Sequence, residues 1–262
     1  MPDPRIVFLM YHELELPGRP LVQSEPGYVR YILSQQSFSS QLSWLKSNGW
    51  SGLSVTEALG FPAQKAVAIT FDDGCETDLL TAAPLLHNAA FHATFYVTAG
   101  RLNQRGYLSS TQLRELSNIF EIGCHSMTHA YLNDLGANEL RTEIVDAGSR
   151  LEDIIGKKIE HFSCPGGRYD ARTLALAKEA GYRSVATSRT DANSPSTDPF
   201  QLGRVAIMRN MNLSTFSTIC DGSSLWKIRL NETMRQSARK LLGNKLYDRF
   251  RQAVLPKSPP QS

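Results

Sequence analysis

The sequence predicts an α/β fold made of repeated strand and helix units. The chain has 262 residues, 41% of them hydrophobic and 20% charged, which suits one large domain with a substantial core. Short apolar runs alternate with longer segments of helical spacing, a pattern typical of a parallel sheet or barrel. Seven strands can be predicted, and this number favours a seven-stranded (β/α) barrel related to the eight-stranded kind.

The predicted strands are short runs rich in β-branched and apolar residues. They cover residues 5–11, 66–71, 93–98, 119–124, 159–163, 182–187 and 203–208.

Helices are predicted between these strands. Three segments carry apolar residues at helical spacing, and two more begin at residue types that cap helices. These are residues 38–50, 79–90 and 140–155, and the segments that begin at Ser109 and Asp170.

Polar motifs follow four of the predicted strands. In a parallel barrel or sheet the carboxyl ends of the strands share one face, where the loops build the active site. We therefore expect these residues to converge although they are far apart in sequence: His12, Asp72 with Asp73, His125 with His129, and Pro165-Gly166-Gly167.

The Asp pair and the His-x-x-x-His set together indicate a divalent metal site with its own base. Alone, Asp-Asp-Gly is typical of a turn, and His-x-x-x-His of one face of a helix. Here both motifs follow strands of the same fold. Together they supply metal ligands that leave a coordination position open, and a second carboxylate that can accept a proton. Two His and one Asp also form the facial triad of non-haem Fe(II) oxygenases. The second Asp argues against that alternative.

These motifs also resemble a known family. Thr70-Phe71-Asp72-Asp73-Gly74 and His125-Ser126-Met127-Thr128-His129 resemble the first two motifs of the polysaccharide deacetylases, carbohydrate esterase family four, also called the nodulation-deacetylase homology domain. Order and spacing agree, and the resemblance extends over about residues 5 to 208.

The resemblance implies a distorted seven-stranded (β/α) barrel of the polysaccharide deacetylase type. It implies that Asp73, His125 and His129 bind Zn²⁺ or another divalent transition metal such as Co²⁺ or Ni²⁺. It further implies that Asp72 is the general base and that the backbone N–H of Gly166 helps to hold the oxyanion. The implied reaction is removal of N-acetyl groups from amino sugars of a polysaccharide or a lipid-linked saccharide precursor, a hydrolysis of linear amide bonds.

Two family features are absent. Many relatives carry an Arg two positions before the Pro of the third motif, where it orients the catalytic Asp, but this chain has Ser163. Arg168 and Arg204 are candidates for that role, unless they are surface charges. No His follows His161, so the late His that acts as general acid is missing. His12 is our candidate for the proton donor, since His titrates nearest neutral pH; the alternative is a hydrogen-bonded His that shapes the barrel mouth.

Two further functions stay open. One is deformylation or deacetylation of a lipid-linked amino sugar, which uses the same site. The other is a catalytically weak carbohydrate-binding relative, because two motifs are degraded.

The basic charge is concentrated near the end of the chain. The chain has a net charge of +3. Residues 224–262 contain nine Lys or Arg and two acids. We expect a catalytic domain over 1–222 and a basic amphipathic helical tail with a disordered end over 223–262. The tail either packs on the barrel or lies on an anionic membrane.

The compartment is predicted from what the sequence lacks. Four scattered cysteines favour a reducing compartment, and neither a signal peptide nor an apolar span of eighteen residues is visible. We therefore expect a cytoplasmic protein with no nucleic-acid partner, and peripheral contact with the inner membrane face is an alternative that the basic tail leaves open. The oligomeric state is not predicted.

Overall fold

Nine strands form one sheet in the structure, a computed structural model that describes residues 5–61 and 65–230. Seven of these strands match the predicted ones, and β2 and β8 are additional short strands. In chain order they are β1 Ile6–Tyr11, β2 Ser51–Leu53, β3 Ala66–Phe71, β4 Thr94–Val97, β5 Glu121–Cys124, β6 His161–Ser163, β7 Ser184–Ala186, β8 Ala192–Asn193 and β9 Val205–Ala206.

The sheet curls into the predicted barrel. Its strand order is β7-β6-β5-β4-β3-β1-β8, with β2 paired to β3 and β9 to β1, and only β8 runs antiparallel to its neighbour. At the other edge, the backbone N–H of Thr187 donates to the carbonyl of Leu202 at 2.9 Å. Because the segment after Leu202 leads into β9, this link joins the β7 edge to β1 and closes the sheet.

Helices connect the strands as predicted. The Ser109 hydroxyl accepts from the N–H of Gln112 at 3.1 Å, and the Asp170 carboxylate from that of Thr173 at 3.0 Å, so both predicted caps are confirmed. The helices are α1 Pro26–Val29, α2 Gln35–Ser47, α3 Val55–Ala58, α4 Ala83–Ala89, α5 Ser110–Ser117, α6 Ala137–Arg141, α7 Ala147–Ile155, α8 Ala171–Glu179 and α9 Leu213–Cys220.

Two helices are preceded directly by a wide, π-helical turn. Asp78–Ala82 precedes α4 and Thr142–Asp146 precedes α7, so the predicted helices 79–90 and 140–155 each contain a change of pitch. Such turns are rare and occur often at functional sites. No helix among the described ranges combines the length and apolarity needed to cross a bilayer.

Strand residues alternate between the barrel interior and the helix layer. Ile6 and Phe8 of β1, Ala68 of β3 and Tyr96 of β4 pack together inside the barrel. Their neighbours in sequence, such as Val7 and Leu9, face the helices in the larger apolar cluster. The side chain two positions beyond Thr70 on β3 therefore points into the upper barrel, and that residue is Asp72.

The end of the barrel away from the polar motifs is closed by α3. The Glu121 carboxylate accepts from the backbone N–H groups of Val55 at 3.1 Å and Thr56 at 3.3 Å. The imidazole of His161 lies 2.8 Å from the Thr56 hydroxyl and 2.8 Å from the Ser184 hydroxyl. This network holds the floor of the barrel, far from the strand ends where the motifs meet.

Only the beginning of the predicted basic tail is described. Leu225 is buried and Ile228 packs against the core, whereas Trp226 is 63% and Leu230 is 59% exposed. Residues 231–262, with most of the basic charge and the predicted disordered end, lie outside the described residues.

Candidate metal centre and catalytic site

The two adjacent aspartates leave β3 in different directions. The backbone N–H of Asp72 donates to the Tyr11 carbonyl at 3.0 Å, which continues the pairing of β3 with β1 and keeps the Asp72 side chain inside the barrel. Asp73 has φ of +86°, a left-handed conformation that is uncommon outside glycine and occurs at functional sites. Because of this turn, both carboxylates are buried at the barrel mouth, 3% and 4% exposed.

Asp73, His125 and His129 form a cluster able to bind a metal. One oxygen and two ring nitrogens from these residues all lie within 4.8 Å of one another. Asp73 Oδ1 is 3.3 Å from His129 Nε2 and 3.8 Å from His125 Nε2. It is buried and has no hydrogen-bond partner. A buried carboxylate oxygen without a donor is costly, and a cation bound between these three atoms would remove that cost.

The ring of His125 is oriented for this purpose. Its Nδ1 lies 2.9 Å from the carbonyl oxygen of Ser163, to which the ring N–H donates. This bond leaves the lone pair of Nε2 directed at Asp73, and metal-binding histidines are commonly fixed in this way. Nitrogen and oxygen donors of this kind fit Zn²⁺ and its neighbours among the transition metals.

The loop between the two histidines is not helical. Ser126 and His129 both have φ of +67°, and the N–H of His129 donates to the Ser126 hydroxyl at 3.0 Å. The buried carboxylate of Glu143 accepts from the backbone N–H groups of Met127 and Thr128, both at 2.9 Å. This loop turns His129 back towards His125, whereas a helix would hold them one turn apart on a single face.

Arg204 holds Asp72 from inside the barrel. Its Nη1 and Nη2 each donate to one Asp72 oxygen at 2.7 Å, and the guanidinium lies 5.3 Å from the centre of the Tyr96 ring. Further N–H groups donate to the hydroxyl of Thr70 at 3.2 Å, the hydroxyl of Ser163 at 2.7 Å and the carbonyl of Thr187 at 3.0 Å. All five N–H donors are thereby used, and the side chain is 1% exposed.

Of the two arginines proposed to orient the catalytic Asp, Arg204 is the one in contact with it. The small side chain of Ser163 leaves room for the guanidinium and also accepts one of its hydrogen bonds. Arg168 instead lies over the ring of Tyr131, 3.7 Å from its centre.

Charges in the site set the pKa values of its carboxyls. Burial raises the pKa of Asp72, but the charges of Arg204 and His125 outweigh burial, and the net shift is downwards. For Asp73, burial is outweighed by the nearby ring of His129, and its pKa is also well below the usual range. Burial lowers the pKa of His125 to about 4, so its ring is neutral near pH 7 and able to bind a metal.

His12 lies at the same barrel mouth. Its ring packs 4.9 Å from that of Tyr31, and its Nδ1 is buried without a hydrogen-bond partner. Burial lowers its pKa, while the charges of Asp73 and Asp72 oppose the shift. The alternative was a histidine that hydrogen bonds hold in place at the barrel mouth. The Nδ1 atom of His12 makes no such bond.

Gly166 lies on the loop after β6, next to the second ligand loop. It has φ of +60°, and a Cβ placed there would lie 3.0 Å from the ring of Tyr131. Tyr131 follows His129 by two residues, so this contact places Gly166 against the segment that follows the second His ligand. The exposed Tyr131 ring also lies against the Arg168 guanidinium.

The roles of Arg204 and Glu143 are not equally visible in the sequence. Arg204 is the single charge within the predicted apolar strand 203–208, and a charged residue in a buried strand indicates a buried partner. Glu143 occupies an ordinary helical position in sequence, so its role in holding the His129 loop is visible only in three dimensions.

Known proteins and one family model are similar to this chain. The family model described as polysaccharide deacetylase matches residues 60–185, which include both ligand motifs. The Bacillus subtilis (strain 168) protein YxkH, which is named as a polysaccharide deacetylase, is 26% identical over 219 residues, 81% of this chain and 75% of that protein.

Two more similarities extend this result. A peptidoglycan-N-acetylglucosamine deacetylase of Bacillus cereus is 33% identical over 123 residues, 47% of this chain and 56% of that protein. The structure of the Streptococcus pyogenes deacetylase PplD, in complex with acetate, superimposes with a TM-score of 0.75 at 24% identity, over 83% of this chain and 99% of that one. The latter shows a shared fold. With the family model, which matches just under half of this chain, these results show that the chain is similar to polysaccharide deacetylases.

Proposed function

We propose that this protein is a metal-dependent hydrolase that removes N-acetyl groups from amino sugars of a polysaccharide or a lipid-linked saccharide precursor. The observation that carries the proposal is the pairing of two separate units at one barrel mouth. One is the Asp73, His125 and His129 cluster, and the other is Asp72 held by Arg204. Similarity to polysaccharide deacetylases supports the reaction class.

We propose Zn²⁺ as the metal, held by Asp73, His125 and His129, with Co²⁺ or Ni²⁺ as substitutes. When bound, such an ion lowers the pKa of water and polarises a carbonyl oxygen. Two neutral imidazoles and one carboxylate suit zinc and leave a position for water and substrate.

Asp72 is proposed as the general base. Its Oδ2 lies 3.8 Å from His125 Nε2, so the carboxylate is next to the metal cluster without belonging to it. Its lowered pKa keeps it ionised near neutral pH and ready to accept a proton from the attacking water. Arg204 orients the carboxylate and, with all five donors occupied, has little freedom to move.

His12 and the Gly166 backbone are proposed to complete the chemistry. The free Nδ1 of His12 supports a role in delivering a proton to the departing amine. The Gly166 N–H is proposed to donate to the oxyanion that forms at the carbonyl carbon, an interaction that contributes about 3–4 kcal/mol in other enzymes.

Acetate release from N-acetylated oligosaccharides in the presence of zinc tests the proposal. We expect Asp72→Asn to lower kcat about 10²- to 10⁴-fold with zinc binding retained. Asp153→Asn, on the exposed side of α7, is the matched control and should behave like the parent. Folding of both variants is checked by circular dichroism. Full activity in Asp72→Asn would refute the role of the base. Zinc binding without acetate release from any sugar would favour the catalytically weak binding relative.

The alternative reaction, deformylation or deacetylation of a lipid-linked amino sugar, would use the same site. Measuring formate and acetate release from lipid-linked amino sugars would distinguish it from deacetylation of a polysaccharide.

We also propose that the protein works in the cytoplasm at the inner membrane face. The exposed Trp226 and Leu230 and the basic sequence that follows them support contact with an anionic bilayer. Substitution of both residues by Ser should reduce sedimentation with phosphatidylglycerol vesicles, while Ile119→Ser, an exposed position on the barrel, should not. Equal sedimentation of all three proteins would remove this proposal.

A further inference from the structure

A second arginine, Arg101, stands beside the proposed metal ligands on a loop that is firmly held. The loop after β4 donates from the N–H of Ala99 to the Ser126 carbonyl at 3.0 Å and from that of Gly100 to the Met127 carbonyl at 2.8 Å. A Cβ on Gly100 would lie 2.5 Å from the Met127 oxygen, so only glycine fits this close approach.

The far end of the same loop is tied to the other ligand motif. The N–H of Leu108 donates to the carbonyl of Gly74 at 3.0 Å, and that of Glu76 to the carbonyl of Gly106 at 3.0 Å. The loop thus bridges the two segments that carry the metal ligands. The position of Arg101 is therefore set by the same hydrogen bonds that set the site.

The guanidinium of Arg101 is oriented but has an uncommitted donor. It lies over the Tyr107 ring, 5.2 Å from its centre, which fixes its plane. Its Nη1 is 3.6 Å from Asp73 Oδ1, too far for a hydrogen bond, and is buried without a hydrogen-bond partner. The side chain is 20% exposed, whereas that of Arg204 is fully buried. Arg204 is thus fully committed to the protein, whereas Arg101 is partly exposed and keeps a donor without a partner.

The charge balance around Arg101 indicates what it would bind. Asp73 Oδ1 is the same atom that approaches both ligand histidines, so the charge of Asp73 would be shared with a bound cation. Glu13 and Glu76, which follow β1 and the Asp pair in sequence, are already paired with Arg19. With a divalent ion in place, Arg101 adds a further positive charge to a partly buried site, and an anion is the group that balances it.

We propose that Arg101 forms a subsite for an anionic substituent, a carboxylate or a phosphate, on the N-acetylated sugar. This inference rests on the proposed function and names the substrate class: acidic acetamido sugars rather than neutral ones. The fixed plane of the guanidinium suits two-point recognition of such an oxyanion. A neutral saccharide offers Arg101 only hydroxyl and ring oxygens, which are weaker acceptors.

Direct binding to the zinc-loaded protein tests the subsite without turnover. Glucosamine 6-phosphate, muramic acid and glucosamine carry no acetyl group and are not substrates, so calorimetry reports affinity alone. We expect the phosphate or the carboxylate sugar to bind at least tenfold more tightly than glucosamine. Arg101→Gln should abolish that difference and Arg101→Lys should retain part of it. Arg105→Gln, an exposed Arg on the same loop, is the matched control and should bind as the parent does.

Acetate release then connects the subsite to catalysis. For N-acetylglucosamine 6-phosphate and N-acetylmuramic acid, Arg101→Gln should raise KM about tenfold with kcat nearly unchanged, while the kinetics for neutral N-acetylglucosamine stay as in the parent. The phosphate and carboxylate arms show which oxyanion is preferred.

Three results separate the outcomes. Equal affinity of the parent for charged and neutral sugars would overturn the inference. Equal losses on all sugars, together with weaker zinc binding in Arg101→Gln, would also overturn it and would make Arg101 a support for Asp73. Absence of acetate release from every sugar would refute the proposed function, and the binding measurements would still decide the subsite.

Discussion

Replacing Arg204 by Met removes the charge that balances Asp72 inside the barrel while keeping most of the side-chain volume. Two unit charges about 4 Å apart interact by about 4 kcal/mol at an effective dielectric constant near 20. Breaking a buried pair by removing one partner costs about 3–5 kcal/mol in other proteins. Both charges here are almost fully buried and joined by two hydrogen bonds of 2.7 Å. We therefore expect Arg204→Met to lower the free energy of unfolding by about 4 kcal/mol.

The assay is urea unfolding of the metal-free protein, with a second substitution to isolate the cause. Arg204→Met combined with Asp72→Asn leaves no unpaired charge and should recover at least about 2 kcal/mol of the loss. Arg183→Met is the matched control because it breaks an ion pair of 2.9 Å with Glu160 at the surface, where such pairs contribute about 0–1 kcal/mol.

Acetate release should fall as well in Arg204→Met. Without the guanidinium, burial raises the pKa of Asp72 unopposed by the main compensating charge, and less of the base is ionised near pH 7. A loss below about 1 kcal/mol in Arg204→Met, or a double variant no more stable than the single one, would refute this account of the buried pair.

Three further predictions test the surroundings of the site. Glu143→Gln should weaken zinc binding about 10- to 100-fold, because the loop that carries His129 loses the carboxylate that accepts its two N–H groups. Competition with a chromophoric chelator measures the zinc affinity, and an unchanged affinity would contradict this prediction. His12→Gln should lower kcat by about 10²-fold while zinc affinity stays within twofold, and a kcat equal to that of the parent would leave amine protonation to another group. Glu121→Gln should flatten the acid side of the stability profile. Burial raises the pKa of Glu121, the nearby His161 ring and the Thr56 and Thr94 hydrogen bonds lower it more, and the net pKa lies below its ordinary 4.5. Ionised Glu121 therefore adds stability above about pH 4.5 that is lost as the pH falls through the folded-state pKa, and an unchanged slope of unfolding free energy against pH would contradict this.

The strands that form the barrel were predictable where short apolar runs mark them. In β1 and β3 every residue is buried, as in parallel sheets whose two faces are both covered. By contrast, β2 has Leu53 as its one apolar side chain, and β8 lies in a segment rich in Ser, Thr and Asp, so neither offers a run that predicts a strand.

The motifs of the site were predictable as a group because they follow strands of one parallel sheet. The arginine that contacts Asp72 could not be predicted, because the contact depends on closure of the barrel, which brings residues 72 and 204 together. Arg101 and Glu143 belong to a loop and a helix whose sequences look ordinary. Their roles arise from side-chain positions that are fixed by backbone contacts with distant segments, and a single sequence does not contain that information.

Arg204 comes from the strand that closes the barrel, 132 residues after its partner Asp72. During synthesis on the ribosome, the aspartate pair and both histidines therefore emerge well before the residue that orients the base. A nascent chain with its ligand motifs already exposed still lacks the buried ion pair, and the machinery for moving protons is completed only when the sheet closes upon itself.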